Sequence, residues 1–213
     1  MNTPHAPEPL NPEALLPAVE PEDADRAGFY GLIAHLMSQA PSRDTLGAIS
    51  RSPALEADPQ LPEAVALAEA WNALRRACHS MTEAQVAAEW SDLFAGTGRP
   101  AVLPYASYYL TGFLMEKPLA ELRDTLAELG LQREAGNGEP EDHLAGVCEV
   151  MRRLIERGDW AAQPRFYERH MQPWVSRCCT ELSSLSSARF YAVLADFAHA
   201  FFQWEARVLG YDQ

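Results

Sequence analysis

The sequence has no long apolar run. Nothing approaches the roughly 18 consecutive apolar residues of a membrane span, so stable membrane insertion is not expected. The first residues, MNTPHAPEPLNPEALLPAVEPEDAD, have neither a basic n-region nor a continuous apolar h-region, so they are not expected to act as a secretory signal. Basic residues are scarce, with 17 Lys and Arg against 30 Asp and Glu and a formal net charge of −13. A chain so poor in positive charge is not built to follow a phosphate backbone, which excludes nucleic acid as the expected partner and favours a basic one. Cysteine is sparse, at Cys78, Cys148, Cys178 and Cys179. The vicinal pair could only close a strained ring, so reduced thiols in the cytoplasm are expected, with one of the pair in the core and one exposed.

The signatures of common enzyme chemistry are also missing. There is no GxxxxGK[ST] loop, no strand-led GxGxxG, no HExxH, no CxxC and no GxSxG. The six histidines are scattered. No cofactor or metal is expected, and a binding protein is favoured over an enzyme.

What the chain does contain is helical periodicity. At 213 residues a single core can bury roughly 70% of the unfolded surface without disulfides or metal. Residues 1–22 are rich in Pro, Glu and Ala and are expected to form a flexible acidic tail. Six acids, Glu8, Glu13, Glu20, Glu22, Asp23 and Asp25, precede the first base, Arg26, and so lie in or beside that tail. From residue 23 onward, apolar residues recur at helical spacing. Examples are Phe29, Leu32, Ile33 and Leu36; Trp71, Leu74 and Cys78; Leu119, Leu122, Leu126 and Leu129; and Phe190, Leu194, Phe197 and Phe201. Thr82 and Gln85 are spaced as a capping box. No segment alternates with β-branched residues. The predicted fold is all-α: a single-domain helical bundle of roughly ten helices over residues 23–213.

Two segments stand out. Trp90-Ser91-Asp92-Leu93-Phe94 runs through a Gly/Pro loop into Pro104-Tyr105-Ala106-Ser107-Tyr108-Tyr109. By itself this is a helix end docked on the core by Leu93 and Phe94. Gly138-Glu139-Pro140-Glu141-Asp142-His143 reads as a helix start, with Pro140 in the first turn and acids facing the positive end of the macrodipole.

Together with Phe166-Tyr-Glu-Arg-His-Met-Gln-Pro-Trp174, these segments, in this order, resemble the TorD/DmsD/NarJ family of cytoplasmic redox-enzyme maturation chaperones. The resemblance covers roughly residues 25 to 210, and the complete EPEDH run favours the TorD-like and DmsD-like branch. One departure is Gly96-Thr97-Gly98-Arg99-Pro100, where Gly-Pro-Gly-x-Pro is commoner, so the shape of that loop stays open.

The resemblance implies binding of the twin-arginine signal peptide, and the apoenzyme, of a molybdopterin-dependent oxidoreductase. It assigns peptide binding to Trp90, Leu93, Phe94, Pro104, Tyr105, Ser107, Asp142 and His143. Chemistry agrees: such a peptide has a basic head and an apolar stretch. Glu141 and Asp142 offer carboxylates to guanidinium groups, and Trp90, Leu93, Phe94 and Tyr105 offer an apolar groove. On that basis Asp142→Asn should weaken binding and leave folding intact. His170, Pro173 and Trp174 also match the family but sit at helical spacing with Phe166, so core packing is expected of them. A NarJ-like chaperone for a non-exported molybdoenzyme and a small helical metal-dependent hydrolase using His143 and Asp142 remain alternatives. A monomer, or a dimer exchanging halves about a Gly136–Gly138 hinge, fits the sequence.

Overall fold

The computed structural model describes residues 21–95, 100–132 and 138–210. The expected tail (up to residue 20), the Gly96–Arg99 part of the first loop and Gly136 and Asn137 of the supposed hinge lie outside the described residues. Ten α-helices follow one another: α1 (Pro21–Ser38), α2 (Arg43–Arg51), α3 (Pro62–Ser80), α4 (Glu83–Trp90), α5 (Ala106–Thr111), α6 (Lys117–Glu128), α7 (Leu144–Glu156), α8 (Ala162–His170), α9 (Val175–Ser184) and α10 (Phe190–Val208). A π-helical turn, Ser91–Ala95, continues α4. The described residues contain no strand, as the all-α expectation required. None of their helices is long and apolar enough to cross a membrane.

The helices begin and end where local chemistry directs. Thr82 and Gln85 form the expected reciprocal capping box at α4. After α6, Gly130 takes φ +64°, and the Gly130 and Leu131 amides donate back to the Ala127 and Leu126 carbonyls. That is a Schellman stop, which a residue free of Cβ strain makes possible.

One hydrophobic core joins all the helices. α1 packs on α7, and α10 lies between α3 and α9. Phe29 meets Trp71, Phe197 and Phe201 with ring centroids 5.2–5.6 Å apart, the tilted and edge-on geometry aromatic pairs prefer. His170 and Trp174 are buried as expected, the Trp174 indole donating to the His170 carbonyl, whereas Pro173 is exposed at the break between α8 and α9.

One expectation is corrected. Cys178 and Cys179 are both buried, because α9 lies against both α5 and α10. Burial pushes the Cys178 thiol up to about 12. Asp23, in the first turn of α1, is buried and accepts from Arg26 Nη1 at 2.8 Å. Arg26 also grips Glu205 of α10 with Nε (2.7 Å) and Nη2 (2.9 Å), and its Nη2 reaches Gln163 of α8. The planar guanidinium satisfies three helices at once, which keeps a buried charge from standing unpaired.

Glu89 is a second long-range anchor. Its carboxylate accepts the amides of Arg189 (2.8 Å), Phe190 (3.1 Å) and Tyr191 (2.8 Å), capping α10, whose first turn has no acid of its own. Glu89→Ala should therefore cost about 3 kcal/mol of stability, since it strips charge-assisted bonds from buried donors. Chemical denaturation of the variant checks the value.

Candidate functional site

The two unusual segments meet. The backbone at Pro104–Ala106 pairs antiparallel with Asp142–Leu144, centred on Tyr105 and His143. The Ala106 amide donates to the Asp142 carbonyl (2.9 Å) and the Leu144 amide to the Pro104 carbonyl (2.8 Å). The Asp142 carboxylate then accepts the Ser107 amide through Oδ2 at 2.8 Å. Asp142 thus caps α5 from 35 residues away, satisfying amides that a short helix leaves open. Asp142 and Ser107 are both fully buried.

The helix start lies later than expected. α7 begins at Leu144 with His143 as its N-cap, Nδ1 accepting the Ala145 amide at 3.1 Å. Pro140, Glu141 and Asp142 form the turn before the helix rather than its first turn, so they do not act through its macrodipole. Their carboxylates have tertiary partners instead. Glu141 accepts from Arg123 of α6 through Nε (3.0 Å) and Nη2 (2.8 Å), and Glu139 accepts the Tyr105 hydroxyl. The turn packs tightly on α7: a Cβ on Gly146 would come within 2.5 Å of the Glu141 carbonyl oxygen.

The expected site residues therefore divide. Leu93, Pro104, Ser107, Asp142 and His143 are buried. Trp90, Phe94, Tyr105 and Glu141 are partly exposed. Tyr105 lies edge-on to the His143 ring, with centroids 5.0 Å apart. Trp90 and Phe94 pack on each other, and Phe94 lies edge-on to Tyr191, which Glu89 ties to the same helix end. Leu93 accepts the Ala101 and Val102 amides, closing the loop that follows it. Asp142, expected to meet an incoming guanidinium directly, is fully buried, with Oδ2 on the Ser107 amide. No cluster of metal-ligating side chains occurs among the described residues, and His143 and Asp142 both act in capping.

Three features were missed in the sequence. Arg123 lies on the polar face of α6 and gives no local sign of its partner. Glu139 looks like one more helix-start acid. The third is the end of α5 and the turn after it, where Leu110 is 42%, Phe113 69%, Leu114 42% and Met115 72% exposed. The Phe-Leu-Met run directly after Gly112, at no helical spacing, was a visible signal for it.

Two outcomes follow from this geometry. Asp142→Ala should lower stability by about 1–3 kcal/mol, the cost of losing a buried cap, as read by urea unfolding. Burial pulls the His143 pKa below its ordinary 6.5, and a proton on Nδ1 would abolish the Ala145 bond. The unfolded chain then binds the proton first, so this contribution is complete above pH 6.5 and falls away as pH drops below it. Thermal melts of His143→Asn, which keeps an N-cap acceptor, should show a shallower acid decline than wild type.

Comparison with known proteins bears on the same segments. The family described as Nitrate reductase delta subunit matches residues 60–180. The chaperone protein TorD of Vibrio cholerae is 31% identical over 155 residues, 67% of this chain and 70% of that protein. TorD of Vibrio atlanticus is 28% identical over 138 residues, 59% of this chain and 64% of that protein, so the match spans a little under two thirds of its length. A candidate redox enzyme maturation protein from Archaeoglobus fulgidus, known from its crystal structure, shares the fold. Its TM-score is 0.55 at 19% identity, over 84% of this chain and 93% of that one. The chain belongs to the TorD/DmsD/NarJ family of redox-enzyme maturation proteins, whose members are chaperones rather than catalysts.

Proposed function

We propose that the protein is a cytoplasmic chaperone that binds the twin-arginine signal peptide, and the apoenzyme, of a molybdopterin-dependent oxidoreductase, holding it until cofactor insertion and export. The observation that carries this is the surface built on the Asp142 clasp. Glu139 and Glu141 stand on the turn that Asp142 and His143 fix, and Tyr105 stands opposite. The helix that Asp142 caps leads, about 9 Å further on for six residues, into exposed Leu110, Phe113, Leu114 and Met115. Carboxylates followed by apolar surface match a peptide whose arginines precede an apolar stretch.

Glu141 and Tyr105 make direct contact in this scheme, with Trp90 and Phe94 as flanking apolar surface. Leu93, Pro104, Ser107, Asp142 and His143 keep the shape. The net charge of −13 steers a basic peptide inward, and salt screens that attraction.

Calorimetric titration with a synthetic twin-arginine leader should show binding that weakens as salt is raised. Glu141→Gln should weaken it about threefold to tenfold, the loss of one charge-assisted contact, with little change in thermal melt. No binding of leader or apoenzyme at low salt would overturn the assignment. Binding of the apoenzyme without its leader would favour a NarJ-like role with a non-exported client.

A further inference from the structure

The π-helical turn Ser91–Ala95 is a rare geometry, concentrated at functional sites. Within it Leu93 is buried and Phe94 is partly exposed. Phe94 touches two other rings. Its centroid lies 6.2 Å from that of Trp90 and 5.2 Å from that of Tyr191, which is fully buried in the first turn of α10. Each neighbour carries a polar atom without a receiver. The Trp90 indole Nε1 and the Tyr191 hydroxyl are buried and make no hydrogen bond among the described residues. Two other indoles are satisfied: Trp71 donates to the Pro53 carbonyl at 3.0 Å and Trp174 to the His170 carbonyl at 2.8 Å.

We infer that Trp90 Nε1 and the Tyr191 hydroxyl are donors held for backbone carbonyls of a bound peptide, in the apolar stretch that follows its arginines, and that Phe94 is the cover that turns aside to admit it. This inference rests on the peptide-binding assignment above. It adds Tyr191 to the contacting residues and gives Trp90 a hydrogen-bonding role.

The chemistry of the two groups selects the ligand. A buried donor without a partner destabilises the free protein, so two of them against one ring point to an acceptor from outside the fold. An indole N–H can only donate. Burial and the nearby Glu89 carboxylate push the Tyr191 hydroxyl well above its ordinary pKa, so it keeps its proton to give. Glu89 sits on the Tyr191 amide at 2.8 Å, and its charge disfavours a carboxylate or a phosphate beside it, so the acceptor is neutral. The walls are aromatic. A neutral acceptor flanked by apolar groups is the backbone carbonyl of an apolar peptide segment. Phe94 is suited to be the cover because it is the partly exposed ring in contact with both others. When it turns, an incoming apolar side chain replaces its ring contacts while both donors gain partners. The Leu93 carbonyl also accepts the Ala101 and Val102 amides, which ties the π-turn to the segment running into Tyr105, whose hydroxyl reaches Glu139.

The experiment follows the five indole N–H signals of isotope-labelled full-length protein by heteronuclear NMR. The added ligand is a synthetic leader carrying two consecutive arginines ahead of an apolar stretch. The Trp90 signal, assigned through Trp90→Phe, should move downfield, while those of Trp71 and Trp174, already bonded, stay in place. Tyr191→Phe removes only the hydroxyl. It should weaken leader binding about threefold to tenfold, the worth of one hydrogen bond. It should not lower the thermal melt, because that hydroxyl has no partner in the free protein.

If wild type does not bind the leader at all, the peptide-binding assignment itself fails. If wild type binds but the Trp90 signal stays in place, or Tyr191→Phe binds as tightly as wild type, the donor role is overturned. A Tyr191→Phe variant that melts lower and binds unchanged assigns the hydroxyl to the fold and overturns it equally. A peptide ending directly after its arginines should leave the Trp90 signal in place. If it moves that signal as far as the whole leader does, the occupant is the basic head and the assignment to the apolar stretch is overturned.

Discussion

Two loops whose key residues lie 35 apart in sequence are locked by one buried carboxylate and a pair of backbone hydrogen bonds. Without the Asp142 carboxylate, the Ser107 amide would lie in the first turn of a six-residue helix with nothing to receive it, and a buried amide without a partner is costly. With it, α5 has a defined first turn, α7 has a defined entry, and Tyr105, Glu139 and Glu141 are displayed at fixed positions. Tyr105 and the turn that carries Glu139 and Glu141 thus inherit their positions from a side chain that no solvent reaches.

The same device recurs elsewhere. Glu89 reaches across about a hundred residues to cap α10, and Arg26 reaches Glu205 and Gln163 from α1. Each joins a helix to the start or flank of another through a charge that the receiving element needs. A bundle of mostly short helices gains little from local propensity, so apolar packing supplies most of the cohesion. The buried polar contacts decide which helix ends meet. The Trp90–Phe94 segment shows this directly: its position follows from Glu89, one residue upstream, gripping the helix that carries Tyr191.

Legibility in the sequence followed the range of the interaction. The apolar stripes, the Thr82–Gln85 box and the stop at Gly130 are local, so periodicity and capping rules recover them. The start of α7 was misplaced by a few residues because Pro140 and its neighbouring acids imitate a first turn. Their carboxylates were claimed by Arg123 and by Tyr105 and Ser107, on segments far away in the chain. One cysteine of the vicinal pair was placed outside because one helix face alone does not show that α9 is covered on two sides. The motif segments do come together in the structure, but their pattern alone does not show which of their residues face outward.

That distinction bears on how a strongly acidic protein selects a basic partner. A net charge of −13 attracts any cation at long range and selects none. Selection requires a carboxylate at fixed position, partly shielded from water, with a shaped apolar wall beside it. Among the acids discussed here, Asp142, Glu89 and Glu205 are buried and committed to the frame. Glu141 lies between: its side chain is 15% exposed, and that of Arg123, which donates to it, is 54% exposed. On the proposed function, discrimination follows from the depth at which a carboxylate sits, which the buried clasp sets, more than from the total number of acids.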